Sequence, residues 1–414
     1  MFLNDILKVF YAPHKVFKDI VQNPKYLGPL LIFVVFLAAQ TSFFYVRASR
    51  IYSEQTLPNG LLADEWTENA TLWQAGSGVV ITNNFADFIN GTSIVFGSPD
   101  YYGNSSIQFT LNNGTGIQMA LADLVGSNGV DCGVNGFKNL TVRVKIASPE
   151  AKPQNVTLYL YSLSDANYFS YDMTPLFSAS AGDVWNNITV PVGTGDWSSS
   201  NAEAKWENIS SLRMDFEWST TSNITVRVDG LFFRGVFKNP IELYGDQTVL
   251  LSFAFSSATP FLFQWLLLTG LFYMLIKGLK GTAVWKPVMV AVGFALVILV
   301  VQAVLTLITY STLPNVNVTL EYFAGIPGEF DAASAAILKA LDQVSVIGGG
   351  IQVAVYVWTI ALGAFIVRAV TAPASAQAGE ALPGARQQFS WLKCLLVSAA
   401  SFVITLIVLG FLGL

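Results

Sequence analysis

Five runs of this chain are long and apolar enough to cross a hydrocarbon core as helix, which takes about 20 residues. They cover 27–46, 249–276, 287–310, 344–367 and 391–414. Pro260 lies inside the second run, which predicts a kink, or a shorter helix that starts near it. Hydrophobic residues make up 53% of the chain and charged ones 12%, about half the charged share of a soluble globular domain. Between the first and second runs lies a polar stretch rich in Asn, Ser, Thr and Gly. The expected architecture is an α-helical polytopic membrane domain of five transmembrane helices with a large inserted domain.

Lysine and arginine placement sets the expected topology. Residues 1–26 hold Lys8, Lys15, Lys18 and Lys25, the loop after the second run holds Lys277, Lys280 and Lys286, and the connection before the fifth holds Arg368, Arg386 and Lys393. The 311–343 connection carries Lys339 beside Glu321, Glu329, Asp331 and Asp342. The positive-inside rule then makes the N terminus cytoplasmic, and five crossings put 47–246 and the C terminus outside a plasma membrane. Arg47 and Arg50 run against the rule and are outnumbered. Besides its basic residues the cytoplasmic side holds only Asp5, Asp19 and Glu380 of the 27 acidic residues, a balance suited to anionic headgroups.

Residues 4–25 interleave Ile6, Leu7, Val9, Phe10, Val16, Phe17 and Ile20 with four lysines, as in an interfacial helix broken at Pro13. The apolar run that follows is long for a signal peptide and has no A-x-A site behind it, so it reads as the first helix of the membrane domain. His14, the chain's one histidine, reads as a headgroup-level side chain. A single histidine excludes His-cluster zinc sites and the HExxH pattern. Cys132 and Cys394 lie in segments of different solvent, so no internal disulfide is expected.

Ten Asn-x-Ser/Thr sequons, at Asn69, Asn90, Asn104, Asn113, Asn139, Asn155, Asn187, Asn208, Asn223 and Asn317, all fall in segments placed outside. They are expected glycosylation sites. Dense sequons with almost no cysteine suit an archaeal cell surface better than a eukaryotic lumen.

The insert reads as β throughout. In "FKNLTVRVKI" (137–146), Val142, Val144 and Ile146 alternate with Thr141, Arg143 and Lys145, the period of a half-buried strand. "GVVITN" (78–83), "TSIVFG" (92–97), "SSIQFTL" (105–111), "NVTLYLYSL" (155–163), "WNNITVPV" (185–192), "SLRMDFEW" (211–218) and "NITVRVDGLFF" (223–233) follow the same pattern, separated by turn signals such as Asn-Gly-Thr and Gly-Thr-Gly. Many short strands without amphipathic helices predict an all-β sandwich or jelly roll.

Pro13, Phe17, Ile20, Pro24 and Pro29-Leu30, with "KGLKGTAVWKP" (277–287) and a fourth helix bearing Trp358, Leu362 and Arg368, resemble the Yip1 family of five-helix membrane proteins. The resemblance covers 1–46 and about 245–414, and implies membrane organisation, trafficking or recruitment of membrane-protein partners. The insert, where most members have a short loop, is similar to galactose-binding-like, carbohydrate-binding-module sandwiches. Trp66 and Trp73, "GTSIVF" (91–96), a strand led by Trp185, and Asp229-Gly230 before paired Phe residues carry that likeness.

Sugars stack on exposed aromatic rings in such sandwiches. Tyr159, Tyr161, Tyr168, Tyr171, Trp197, Trp206, Trp218, Tyr101 and Tyr102 are candidates, and Tyr168, Tyr171 and Trp197, in loop-like sequence, are preferred. The resemblance also implies a structural Ca²⁺ at Asp229 with Asp87 as partner. Otherwise Asp229 is a surface residue opening a turn with Gly230. Gln264, Gln302 and Gln352 are the notable polar side chains of the apolar runs; none of those runs carries an acidic or basic group near its middle, which argues against ion-coupled transport. The "IGGGIQ" stretch (347–352) predicts close helix packing.

The function expected is non-enzymatic, with no cofactor besides that Ca²⁺: a Yip1-like protein in the lipid bilayer whose outer sandwich binds a glycan or cell-envelope polymer. The alternatives are a transporter or permease accessory subunit whose sandwich captures substrate, and an envelope hydrolase or transferase. Nucleic acid is not an expected partner.

Overall fold

The structure, a computed structural model, describes residues 2–58, 64–91, 101–124, 129–178, 182–372 and 388–413. The chain divides into two compact units, one of Met1–Ile51, Asn239–Val316 and Lys339–Leu414, the other of Tyr52–Lys238 with Asn317–Leu338.

The first unit is helical. Five helices, Leu27–Ala48, Asp246–Gly278, Trp285–Ser311, Glu329–Val370 and Trp391–Phe411, are long and apolar enough to cross a membrane. The second starts well before Pro260 and continues through it, and the third is interrupted at Leu296. The fourth begins at Glu329, upstream of its apolar run, because "EFDAASAAILKALDQ" is rich in alanine and other strong helix formers and opens with acidic residues that suit a helix N-terminus.

The lead forms two helices, Phe2–Tyr11 and Pro13–Gln22, with Pro13 opening the second. Their apolar face is not left for a membrane surface as the sequence suggests. Val9, Val16, Phe17 and Ile20 are buried in the helical unit's own core with Val288 and Val292. Close helix approach occurs at Gly363, where an added Cβ would meet the Ser398 hydroxyl at 2.1 Å, and Ser398 Oγ donates to the Ile360 carbonyl across the same contact. The expected packing at "IGGGIQ" is not seen: a Cβ added at Gly348, Gly349 or Gly350 meets nothing within 4 Å.

The second unit is an antiparallel β-sandwich. Its strands are β1 (Ile51–Leu57), β2 (Trp73–Ala75), β3 (Val80–Asn84), β4 (Ser106–Leu121), β5 (Asn139–Ser148), β6 (Asn155–Ser162), β7 (Ser164–Asp172), β8 (Asn186–Pro191), β9 (Ser198–Ser199), β10 (Ile209–Lys238) and β11 (Val316–Val318). The stretch 92–97, expected as a strand, lies outside the described residues.

Two long strands organise the sandwich. "SLRMDFEW" and "NITVRVDGLFF", which read as separate strands, are parts of the single 30-residue β10. β4 runs along one edge of β10 through both parts, while β6 pairs with the first part and β5 with the second. The register shifts around Ser222 of β10, opposite Gly114, and Asn113 beside it has a φ of 57°. The Asn-Gly-Thr signal thus marks an irregularity inside a strand instead of its end. Beyond it β4 and β10 continue into a second layer. One layer holds β2, β4, β10, β6, β7 and β9, and the other β3, β4, β10, β5 and β8.

The layers close on one hydrophobic core that includes Phe109, Met119, Val144, Leu158, Met214, Phe216 and Val226. Trp73, paired with Leu121 in one layer, meets Phe109 of the other edge-on, with centroids 5.4 Å apart. Residues 317–338 join this unit through buried charge. Arg234 is held by Glu54 at 2.7 Å and Glu321 at 2.6 Å, and Arg143 by Glu329 at 2.6 Å.

Candidate functional site: an aromatic face beside an ion pair

The alternation of β6 sends Val156, Leu158 and Leu160 into the core and leaves Thr157, Tyr159 and Tyr161 on the other face of the sheet. On β10, Leu212, Met214 and Phe216 are buried and Arg213, Asp215 and Glu217 take that same outer face. Strand register sets Tyr159 against Arg213, Thr157 against Asp215, and Tyr168 of β7 against Tyr161.

The result is a compact aromatic surface. Tyr159 and Tyr161 are stacked at 6.4 Å, and Tyr168 lies 5.6 Å and 5.8 Å from them; Tyr161 is itself buried, so Tyr159 and Tyr168 supply the accessible rings. The Arg213 guanidinium carbon is 4.3 Å from the Tyr159 centroid and 5.8 Å from that of Tyr161. Arg213 Nε and Asp215 Oδ1 form an ion pair at 3.0 Å, and Gln118 also bonds the Asp215 carboxyl. Burial pushes the Asp215 carboxyl above the usual carboxylate range, with Arg213 acting against the shift. The face therefore carries a partly exposed ion pair beside its rings.

Of the preferred aromatic residues, only Tyr168 belongs to this face. Trp197 is 7% exposed, donates its indole N–H to the Pro191 carbonyl, and packs edge-on against Trp206. Tyr171 leans on Trp197 with centroids 5.1 Å apart. Trp206 stacks on Phe169, and Trp218 donates to the Ala151 carbonyl. Tyr102 is buried against Phe232, beside which Tyr101 also lies.

A second constellation lies where β10 carries Asp229. The reading of Asp229 as a surface turn residue does not hold: it is fully buried, and Gly230, at a φ of 54°, is an irregular position inside β10 where a Cβ would meet Tyr102 Cε1 at 2.4 Å. Asp229 accepts the Ile89 N–H at 2.6 Å and its neighbour Gly230 N–H at 2.7 Å. Its carboxyl partner is Asp64, also fully buried. Burial raises the pKa of both, and their proximity to each other and to Glu68 raises that of Asp64 further.

Asp64 Oδ2 accepts from Thr67, while Oδ1 has no partner among the described residues. All the donors are hard oxygens, the set that suits Ca²⁺, although no three acidic, His or Cys side chains among the described residues gather as a metal cluster. Asp87, expected beside Asp229, is engaged elsewhere: its carboxylate takes Lys145 at 3.0 Å, Arg227 and the Trp185 indole.

Of the sequon asparagines, Asn139 and Asn208 are half-buried and the other eight are exposed. Arg213, Asp215, Asp64 and Glu68 were not singled out from the sequence. The alternation in "SLRMDFEW" would have grouped the first two; nothing local marks the others, which converge only through long-range packing.

No protein-family profile matches the chain, and no curated protein matches it. Solved structures similar to it include a family 11 carbohydrate-binding module from Clostridium thermocellum, at 11% identity over 44% of this chain and 95% of that one, with a TM-score of 0.27. A family 30 module of a Clostridium thermocellum cellulosomal cellulase has 11% identity over 41% and 92%, with a TM-score of 0.27. A β-1,2-glucanase from Parabacteroides distasonis has 12% identity over 41% and 24%, with a TM-score of 0.28.

Proposed function

We propose that this chain is a non-enzymatic membrane protein that spans the bilayer five times and binds glycan or a cell-envelope polymer on the outer face of its sandwich. The observation that carries the binding half is the Tyr159–Tyr161–Tyr168 cluster with the Arg213–Asp215 ion pair at its side. Rings cover the apolar faces of sugar units, and the guanidinium and carboxylate take hydroxyls, the division of labour expected of a polar-ligand site. The spanning half is supported by the length and composition of the five helices and by the distribution of lysine and arginine.

In this reading the N terminus is cytoplasmic, the sandwich and C terminus lie outside a plasma membrane of archaeal type, and exposed sequons carry glycans. The helical unit organises the membrane or recruits membrane partners, the role implied by its Yip1-like motifs. A structural Ca²⁺ of the sandwich would be held by Asp64 and Asp229.

The test is a glycan array probed with the full chain in detergent, beside a Tyr159→Ala/Arg213→Ala variant. Binding by the parent and not by a folded variant supports the proposal. An array on which the two are indistinguishable removes the glycan half.

A further inference from the structure

The sequon that opens β6 shares a face with the aromatic cluster. Asn155 is the first residue of β6, and Thr157, the hydroxyl residue of its sequon, is the third. Strand alternation puts Asn155, Thr157, Tyr159 and Tyr161 on one side of the sheet and sends Val156, Leu158 and Leu160 to the core. Asn155 is exposed, and four residues of strand set it about 13 Å from Tyr159. The other sequon asparagines on strands lie elsewhere: Asn139 and Asn187 on β5 and β8 of the other layer, Asn317 on β11 beside β1, and Asn113 and Asn223 at the irregularity of β4 and β10.

The Asn155 amide is oriented without being sealed. Its Nδ2 donates to Glu217 Oε2 at 3.3 Å and its Oδ1 accepts from Thr174 Oγ1 at 3.4 Å, both long bonds at the surface. An asparagine amide carries two N–H donors, and N-glycosylation replaces one of them. The other N–H and the carbonyl remain to keep Glu217 and Thr174.

The way from Asn155 to Tyr159 is lined by groups that take sugar hydroxyls. Thr157 lies between them, half-buried, with Asp215 of β10 opposite it on one side and Asp172 of β7 on the other. Next along the strand, Tyr159 has Arg213 and Ser170 as its partners in register. Sugar units laid along β6 from Asn155 therefore pass hydroxyl and carboxylate groups before they reach the rings and the guanidinium.

We propose that the aromatic face is occupied by the chain's own N-glycan, attached at Asn155, which competes with outside ligands for Tyr159 and Tyr168. The inference rests on the sandwich lying outside the membrane and on the sugar-binding reading of this face. Attachment joins Asn155 Nδ2 to the anomeric carbon of an oligosaccharide carried on a lipid phosphate: the carbon–oxygen bond to phosphate breaks, the lipid phosphate leaves, and Nδ2 gives up one proton. A ligand on a short flexible tether has an effective concentration of about 1 mM. For a face that binds its sugar with a dissociation constant of about 0.1 mM, an outside glycan then binds about tenfold more weakly than it would to the bare face.

Glycopeptide mass spectrometry and hydroxyl-radical footprinting of the full chain, purified in detergent from an archaeal host that glycosylates sequons, test it. The parent should carry glycan at Asn155 and have Tyr159 and Tyr168 protected from oxidation. N155Q should lose that protection and bind array glycans about tenfold more tightly than the parent, whereas N187Q, which lacks the sequon on β8, should match the parent in both. If N155Q does not fold, the parent made in a bacterial host without N-glycosylation supplies the bare face with every residue in place.

A glycosylated parent whose Tyr159 and Tyr168 oxidise as fast as those of the bare face overturns the proposal. So does an unmodified Asn155 in a chain whose other sequons are occupied. If none of the ten sequons is occupied, the glycosylated outer placement fails, and this proposal fails with it. Array binding by N155Q that survives Tyr159→Ala/Arg213→Ala instead removes the sugar-binding reading of the face, whatever the state of Asn155.

Discussion

Arg213 and Tyr159 face each other across the β10–β6 pairing, with the guanidinium carbon 4.3 Å from the ring centroid. The contact holds the guanidinium over the aromatic surface, with its Nε 3.0 Å from Asp215 Oδ1. A cation over a ring is worth about 0.5–2 kcal/mol. Tyr159→Ala and Arg213→Ala should therefore each weaken glycan binding by about tenfold, and Trp197→Phe, a change inside the core, should leave affinity within about twofold. Isothermal titration against the glycan selected on the array distinguishes these outcomes; equal losses at all three positions would point to general destabilisation.

The Asp64–Asp229 pair gives the sandwich an unusual dependence on pH. Both carboxyls have raised pKa values in the fold, so the folded chain binds protons more tightly than the unfolded one. The stabilisation is complete below the ordinary carboxylate pKa of about 3.9 and is lost as pH rises above it towards the folded values. The melting temperature of the sandwich transition should fall across that window, and millimolar Ca²⁺ should restore it at neutral pH if the ionised pair holds the ion. Asp64→Asn should flatten both responses in differential scanning calorimetry.

Glu321 has the opposite sign. Burial works against its ionisation, but Arg234 outweighs burial and brings the carboxyl down to about 2. Its contribution is present above the ordinary glutamate pKa of about 4.3 and disappears as pH falls towards 2. Glu54, only 3% exposed, also accepts the Leu320 and Gly235 amides. Glu54→Ala should therefore cost about 3–5 kcal/mol, the range for leaving a buried charge unpaired. Glu321→Ala should cost less, because Arg234 keeps Glu54. Urea melts of the two variants at neutral pH provide the comparison.

The pairing at Arg234 also bears on where a soluble sandwich can be cut. A fragment covering 52–238 lacks Leu320, Glu321 and Glu329, and leaves Arg143 and Arg234 short of carboxylates. Joining 317–338 to it through a flexible linker should raise its melting temperature by several degrees, the size of shift that about 1–2 kcal/mol gives a domain of this length. Equal melting temperatures would mean that these ion pairs merely break even against desolvation.

Much of the architecture was readable from residue pattern. The apolar runs marked all five long helices, and alternation in "NVTLYLYSL" sent Val156, Leu158 and Leu160 of β6 to the core; β5 is a strand as expected, but Thr141 and Arg143 of its polar face are buried as well. The pattern failed where tertiary packing decides. Asn113-Gly114 carries turn chemistry but lies within β4, because β10 continues to pair on both sides of it. Trp197 lies in a loop as expected but is buried there against Trp206, whereas Tyr168 and Tyr171, which also looked like loop sequence, belong to β7. Val16 and Phe17 looked like an interfacial face and found a partner inside the protein. The candidate sugar face was half visible: Tyr159, Tyr161 and Tyr168 stood out as aromatic, whereas Arg213 and Asp215 gain meaning only through strand register.

The continuity of β4 and β10 through both layers has a dynamic consequence. In a sandwich of separate sheets either sheet can open while the other stays closed. Here the amides of Met214 and Val226 belong to one strand and are paired to one neighbour, β4, so releasing the first part of that ladder loosens the anchor of the second. In hydrogen–deuterium exchange the two layers should lose protection as a single cooperative unit, which would leave the sheet bearing Tyr159 and Arg213 as slow to open as the sheet behind it.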